Sequence, residues 1–236
     1  MTDIALFQSA LLRWYRVHGR DLPWRRTTDP YRIFISEVML QQTQVERVID
    51  YWQAFLRTFP TVDALAAAPE AEVLAVWKGL GYNNRARYVH QTAKAVVAIH
   101  GGRFPTTLEG LRRLPGVGRY TAGAIMSFAY CEDAAIVDTN VIRILNRIFG
   151  PRSGERPSAR DEALWTLAAE VIPPGEGFRL NQAMMDFGAI LCSHHRPGCD
   201  ICPMAGFCHS RQTELAQPVE PKRMGTGQRI APVTNS

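Results

Sequence analysis

Apolar residues recur about every three or four positions along most of this chain, and that spacing constrains the fold more than any other feature. In LFQSALLRWYRVHG it places Leu6, Ala10, Leu11, Trp14 and Val17 on one helical face, and Gly19 stands where such a helix stops. YRIFISEVMLQQTQVERVIDYWQAFLRTFP reads as two consecutive helices, the first opening at Pro30 after the loop RDLPWRRTTDP. VDALAAAPEAEVLAVWKGLGY and RARYVHQTAKAVVAIHGG continue the rhythm, the latter closed by Gly101 and Gly102. TTLEGLRRLPGVGRYTAGAIMSFAY is helix, tight turn, helix; NVIRILNRIFG, ARDEALWTLAAEVI and RLNQAMMDFGAILC follow. No stretch alternates apolar and polar residues between turn signals, so the expected fold class is all-α. With 236 residues, 46% of them hydrophobic, such helices can bury one large core or two small ones.

The formal charge of +5 suits a polyanionic partner without demanding one. No apolar run reaches the length of a membrane span. The N-terminal stretch carries its acid early and its arginines late, the reverse of a secretory signal, so a cytoplasmic protein is expected. After Cys208 the chain turns to QPVEPKRMGTGQRIAPVTNS, rich in Pro, Gly and charge. Residues 211–236 therefore read as a tail.

Four of the five cysteines, Cys192, Cys199, Cys202 and Cys208, fall in CSHHRPGCDICPMAGFC with the spacing C-x6-C-x2-C-x5-C. Zinc ribbons usually pair two C-x2-C knuckles, and only one such pair is present here. Four thiolates in one loop can also wrap a cubane of four irons, each needing one sulfur. A structural zinc remains the alternative, and disulfides fit a reducing compartment poorly. The odd cysteine, Cys131, reads as a packing residue at a helix end. His194 and His195 read as surface or phosphate-contacting residues.

Three further places could carry chemistry. In LPGVGRYTAGAI the glycines Gly116 and Gly118 flank Val117, and both allow backbone angles that expose amides before a helix N-terminus. Such a turn can hold a phosphate, and it can equally be a plain helical hairpin. Asp138 in AIVDTNVIRIL is placed to cap the helix that begins near Asn140. Glu37 lies in RIFISEVMLQQTQV among Ile33, Phe34, Val38 and Leu40. The pattern alone favours an exposed face, and burial would instead raise its pKa. Tyr82 in GLGYNNRAR can be a packing tyrosine.

The cysteine spacing at the C-terminal side of an all-α chain resembles the [4Fe–4S] loop of the endonuclease III and MutY group of DNA glycosylases. LPGVGRYTAGAI resembles the hairpin of the same helix-hairpin-helix (HhH-GPD) superfamily. The resemblance covers roughly residues 5–210 and implies a two-lobed helical core. One lobe, about 25–135, would contain the hairpin; the N-terminal helix and 136–210 would form the other, bearing the cluster. No 8-oxoguanine-recognition domain is expected in this sequence.

The resemblance also implies roles. SEVMLQQTQV is similar to the MutY signature, in which the residue matching Glu37 protonates a purine leaving group and that matching Gln42 enters the helix where the base has left. Tyr82 matches the residue that wedges beside the opposing purine. Asp138 matches the carboxylate that faces the sugar cation. Gly116, Val117, Gly118 and Asn140 fall with the DNA-contacting residues, and the hairpin would hold a monovalent cation. Where endonuclease III-type members carry a lysine after GVGR, this chain has Tyr120, which forms no Schiff base.

The expected activity is therefore monofunctional removal of a mispaired base from double-stranded DNA by a monomer. Adenine opposite guanine or 8-oxoguanine is favoured, on RDLPWRRTTDPY, ISEVMLQQTQV and NQAMMDFGAIL. DTNVIRILNR and Tyr120 instead resemble the short thymine–guanine mismatch enzymes, and Asn83 departs from the MutY pattern, which usually has a second tyrosine there. A non-catalytic DNA-binding redox sensor needs neither Glu37 nor Asp138.

Overall fold

The computed structural model describes residues 3–151 and 157–216, all of whose regular structure is helical. In chain order the helices are α1 (Ile4–His18), α2 (Pro30–Leu40), α3 (Val45–Thr58), α4 (Val62–Ala67), α5 (Glu70–Trp77) and α6 (Asn84–His100). Then come α7 (Leu108–Arg112), α8 (Arg119–Phe128), α9 (Thr139–Phe149), α10 (Pro157–Glu170), α11 (Gly177–Ile190) and α12 (His209–Ala216). None is long and apolar enough to cross a membrane. Residues 217–236, most of the expected tail, lie outside the described residues.

Local chemistry sets the helix ends. Asp3 caps α1 by accepting from the Ala5 amide at 2.8 Å. Asp29 caps α2 in the same way, accepting from Tyr31 at 2.8 Å, with Pro30 at the first helical position. Thr61 and Thr107 cap α4 and α7. The α1 stripe is narrower than the sequence suggests: Phe7, Ala10, Leu11 and Trp14 are buried, whereas Leu6 and Val17 face solvent. Both of those lie at one margin of the face, beyond the strip that the neighbouring helices cover.

Two apolar cores result. The first takes α2 through α8, around Phe34, Phe55, Trp77 and Ile125, and ends at Ile136. The second begins at Val137 and joins α9, α10 and α11 to α1, around Phe7, Leu11, Ile144 and Phe187. The chain thus leaves and re-enters the second core, which places α1 against α11.

The seam between the cores is polar and tightly tied. The fully buried Asp186 of α11 accepts from both Arg20 and Arg25, in the loop joining α1 to α2. The two guanidiniums hold its carboxyl below the usual carboxylate range, although burial opposes them. Asn181 of α11 donates to Ser127 Oγ at 3.0 Å and to the Ala134 carbonyl at 2.8 Å, both across the seam. Gly188 is required for close approach: a Cβ there would stand 2.6 Å from Asn140 Cβ. These ties bring the start of α9 beside α2 and α8.

Candidate active site

Helix α2 determines where Glu37 sits. Its sequence PYRIFISEVML offers no continuous polar face, and a helix apolar on all sides is buried on all sides. From Ile33 to Met39 every residue is buried, Glu37 among them at 3% exposed. The solvent-facing position that the local pattern favours is therefore corrected, because α3, α6 and α8 cover this helix.

Glu37 opens into a cleft of about 680 Å³ between the two cores, which Tyr120, Asp138, Asn140, Gln42, Gln182 and Met185 also line. One carboxyl oxygen, Oε2, is buried with no hydrogen-bond partner. Burial pushes the Glu37 pKa up to about 7, and the Asp138 carboxylate adds to the rise. The Tyr120 hydroxyl and Arg25 pull it partly back. Tyr120 in turn is held far above its ordinary value, by burial first and then by the two carboxylates. Its hydroxyl stands beside Glu37 and also lies 3.9 Å from Met185 Sδ. A carboxyl with a pKa near 7 keeps a transferable proton at neutral pH.

Asp138 caps α9, its Oδ1 accepting from the Val141 amide at 2.7 Å. Its Oδ2 accepts from Asn140 Nδ2 at 2.8 Å. Asn140 Oδ1 then accepts from Arg143 at 2.7 Å, and Arg143 donates onward to the carbonyls of Gly188 and Cys192. Both carboxyl oxygens are thereby oriented before anything enters the cleft. Asn140 is more firmly committed to holding Asp138 than its assignment as a DNA contact suggests.

A second groove, of about 670 Å³, adjoins the first through Gln42. Tyr82 and the hairpin residues Gly116, Val117 and Gly118 line it. Gln42 (φ 55°) and Tyr82 (φ 50°) both take left-handed backbone, which costs a non-glycine residue ~1–3 kcal/mol. Both side chains are exposed, Tyr82 at 64%, so the packing role for Tyr82 is set aside.

In the hairpin only Gly116 needs its glycine: its φ is 73°, and a Cβ would strike Tyr88 of α6 at 2.7 Å. Gly118 is extended with open space beside it, so the second half of the glycine argument does not hold. Val117 is buried and gives its amide to the Leu114 carbonyl at 3.1 Å. No side chain caps α8, and its N-cap residue Gly118 lines this groove.

The cysteines Cys192, Cys199, Cys202 and Cys208 line one small cavity of about 80 Å³, walled by Ile148, Phe187 and Leu191. All four are unpaired in disulfides. Arg147 approaches Cys192 Sγ at 3.5 Å, and its carbonyl accepts from Cys208 at 3.2 Å. Among the described residues no three ligating groups converge on a point fit for a single metal ion. His194 and His195 lie exposed, with their rings stacked edge to face. Cys131 is exposed with a left-handed φ of 58°, which sets aside the packing role read for it. The turn that ends α8 there dictates its backbone instead.

Two functional-looking residues escaped the sequence reading: Arg85, discussed below, and Arg143. Each is one arginine among many, and only its carbonyl partners set it apart.

Residues 35–170 match the family described as HhH-GPD superfamily base excision DNA repair protein. The chain is 41% identical over 221 residues to a human protein named adenine DNA glycosylase, covering 90% of this chain and 40% of that one. It is 35% identical over 209 residues to a thymine-DNA glycosylase of Aeropyrum pernix, covering 87% of this chain and 94% of that one. A solved thermostable thymine-DNA glycosylase superposes with a TM-score of 0.83 at 34% identity, over 89% of this chain and 97% of that one. The chain spans about half the length of the adenine glycosylases it resembles. With its helical hairpin, its two facing carboxylates and its cysteine-lined cavity, this chain belongs to the HhH-GPD superfamily of base excision DNA repair proteins.

Proposed function

We propose that the chain is a monofunctional DNA glycosylase that removes adenine mispaired with guanine or 8-oxoguanine. The observation that carries this reading is Glu37: a buried carboxyl, protonated near pH 7, with one oxygen unpartnered, that lines a cleft shared with Asp138. A purine flipped into that cleft presents ring nitrogens that can take a proton. Glu37 donates, the N-glycosidic bond breaks with its electron pair leaving on the base, and the sugar becomes cationic. The fixed Asp138 carboxylate stabilises that cation. Water adds to it and loses a proton, and Glu37 is reprotonated. Thymine has no N7, so a protonated carboxyl serves it less well. The higher identity to an adenine glycosylase points the same way.

Gln42 and Tyr82 fit insertion into the duplex from the groove beside the cleft, and a mispair lowers the cost of flipping. The first turn of α8 fits a DNA phosphate, with a monovalent cation at the turn. Tyr120 offers no amine, so the abasic product is left uncleaved. Single-turnover reactions on A:G, A:8-oxoG, T:G and U:G duplexes, with and without alkali, test these points together. Cleavage is expected in the adenine strands and only after alkali. Excision confined to T:G and U:G would transfer the chain to the thymine branch, and strand breaks without alkali would restore a lyase.

The cysteine cavity fits a [4Fe–4S] cluster, for which Cys192, Cys199, Cys202 and Cys208 would supply one thiolate per iron. The same four thiolates would also satisfy a tetrahedral zinc, and the metal content of the protein separates the two. Iron and acid-labile sulfide in equal amounts are expected in the purified protein, with both lost in Cys202→Ser. Stoichiometric zinc in their place would overturn the assignment.

A further inference from the structure

Two loops that lie some forty positions apart in the chain carry the two strained residues of the groove. Gln42 lies in the turn between α2 and α3, and Tyr82 in the turn between α5 and α6. One side chain joins them. Arg85, near the start of α6 and only 8% exposed, sends Nη1 to the carbonyls of Val38, Met39 and Gln41 at 3.0, 2.9 and 2.6 Å. Its Nη2 donates to Thr43 Oγ1 at 3.2 Å and to the carbonyls of Leu80 and Gly81 at 3.0 and 3.1 Å. The guanidinium therefore grips the residues on both sides of Gln42 and the two residues just before Tyr82. The rings of Trp77 and Tyr82 lie 5.6 and 5.4 Å from it.

This arrangement is costly in isolation. A buried cation normally takes a carboxylate partner, and among the described residues none pairs with Arg85. Six neutral oxygens stand in that place, the Thr43 hydroxyl and five carbonyls at the end of α2 and in the turns. Left-handed backbone at a glutamine and a tyrosine persists only where surroundings over-determine it. Only a planar fork reaches two loops at once; an ammonium is a point donor.

We propose that Arg85 is the positioning residue that locks Gln42 and Tyr82 into one rigid pair, so that both enter the duplex together. The proposal rests on the glycosylase reading for its consequence in catalysis, though not for the coupling itself. Arg85 touches no reacting atom; it acts through the two loops it holds.

The test has two arms. Hydrogen exchange on the DNA-free protein reads the coupling. Arg85→Lys is expected to speed exchange in segments 41–44 and 79–82 together, leaving α9 and α11 unchanged. Single-turnover excision on an A:G duplex reads the consequence. Arg85→Lys is expected to slow it ~10-fold or more in the parent, and by less than ~2-fold in a Gln42→Ala/Tyr82→Ala background, because the residues it acts through are already gone. Equal losses in both backgrounds, loosening of one segment alone, or faster exchange throughout the chain would each overturn the proposal. If the parent excises no base from any duplex, the glycosylase reading fails and the exchange arm alone decides the coupling. Should Arg85→Lys not fold, Thr43→Val removes one arm of the grip and is read by the same exchange.

Discussion

Asp138→Asn is expected to lower single-turnover excision by roughly 10³-fold while leaving duplex binding and thermal stability near those of the parent. The asymmetry follows from the two jobs of this side chain. Its Oδ1 caps α9 at the Val141 amide, and an asparagine oxygen also accepts that bond, so that only the bond from Asn140 Nδ2 to Oδ2 is lost. Its negative charge, by contrast, is what the proposed mechanism sets against the sugar cation, and no neutral amide replaces it. Asp138→Ala would confuse the two effects, because losing the cap costs about 1 kcal/mol on its own. Binding that falls along with excision would show that Asp138 shapes the DNA-bound protein instead. Full activity in the asparagine variant would remove Asp138 from the catalytic step, whereas duplex binding by a parent that excises no base would leave the non-catalytic DNA-binding sensor as the better account.

Glu37→Gln is expected to cost roughly 10²–10⁴ in excision and, unusually for an active-site change, to stabilise the fold at alkaline pH. The carboxyl's ordinary pKa of 4.5 rises to about 7 in the folded chain. Between those values the folded state holds a proton that the unfolded state has lost, so the parent loses stability as pH rises through this window. The rise corresponds to ~3 kcal/mol against the ionised form above pH 7. Glutamine carries no such cost. Denaturant unfolding at pH 5 and pH 8.5 should therefore show variant and parent nearly equal at the lower pH and the variant more stable at the higher. Excision by the parent should decline about tenfold per pH unit above pH 7, as the proton Glu37 must donate is lost. A flat profile, or a variant no more stable at pH 8.5, would mean that Glu37 is ionised in the cleft.

The parts of this protein written locally were legible without coordinates. Helix starts at Asp29-Pro30 and Thr107, the stop at Gly101, the turn at Gly116 and the cap at Asp138 all depend on residues within a few positions of one another. Backbone hydrogen bonds and capping act over that same short range. The four cysteines could likewise be grouped on spacing, because a loop of that length returns on itself.

What spacing could not reveal was what lies across from what. Whether Glu37 met water or protein depended on α3, α6 and α8 closing over α2, which no window of α2 contains. Leu6 and Val17 were misplaced for the same reason: a helix's apolar stripe shows its width only against its neighbours. Arg85, Asp186 and Arg143 read as unremarkable charges, yet their partners stand up to 166 positions away. The sequence by itself determined an all-helical chain, its capped elements and its store of reactive side chains. Only the tertiary structure decided that Glu37 is buried and that Asp138 lines the same cleft. Desolvation and Coulomb interactions depend on distance through space, and chain order says little about that until the two cores have met.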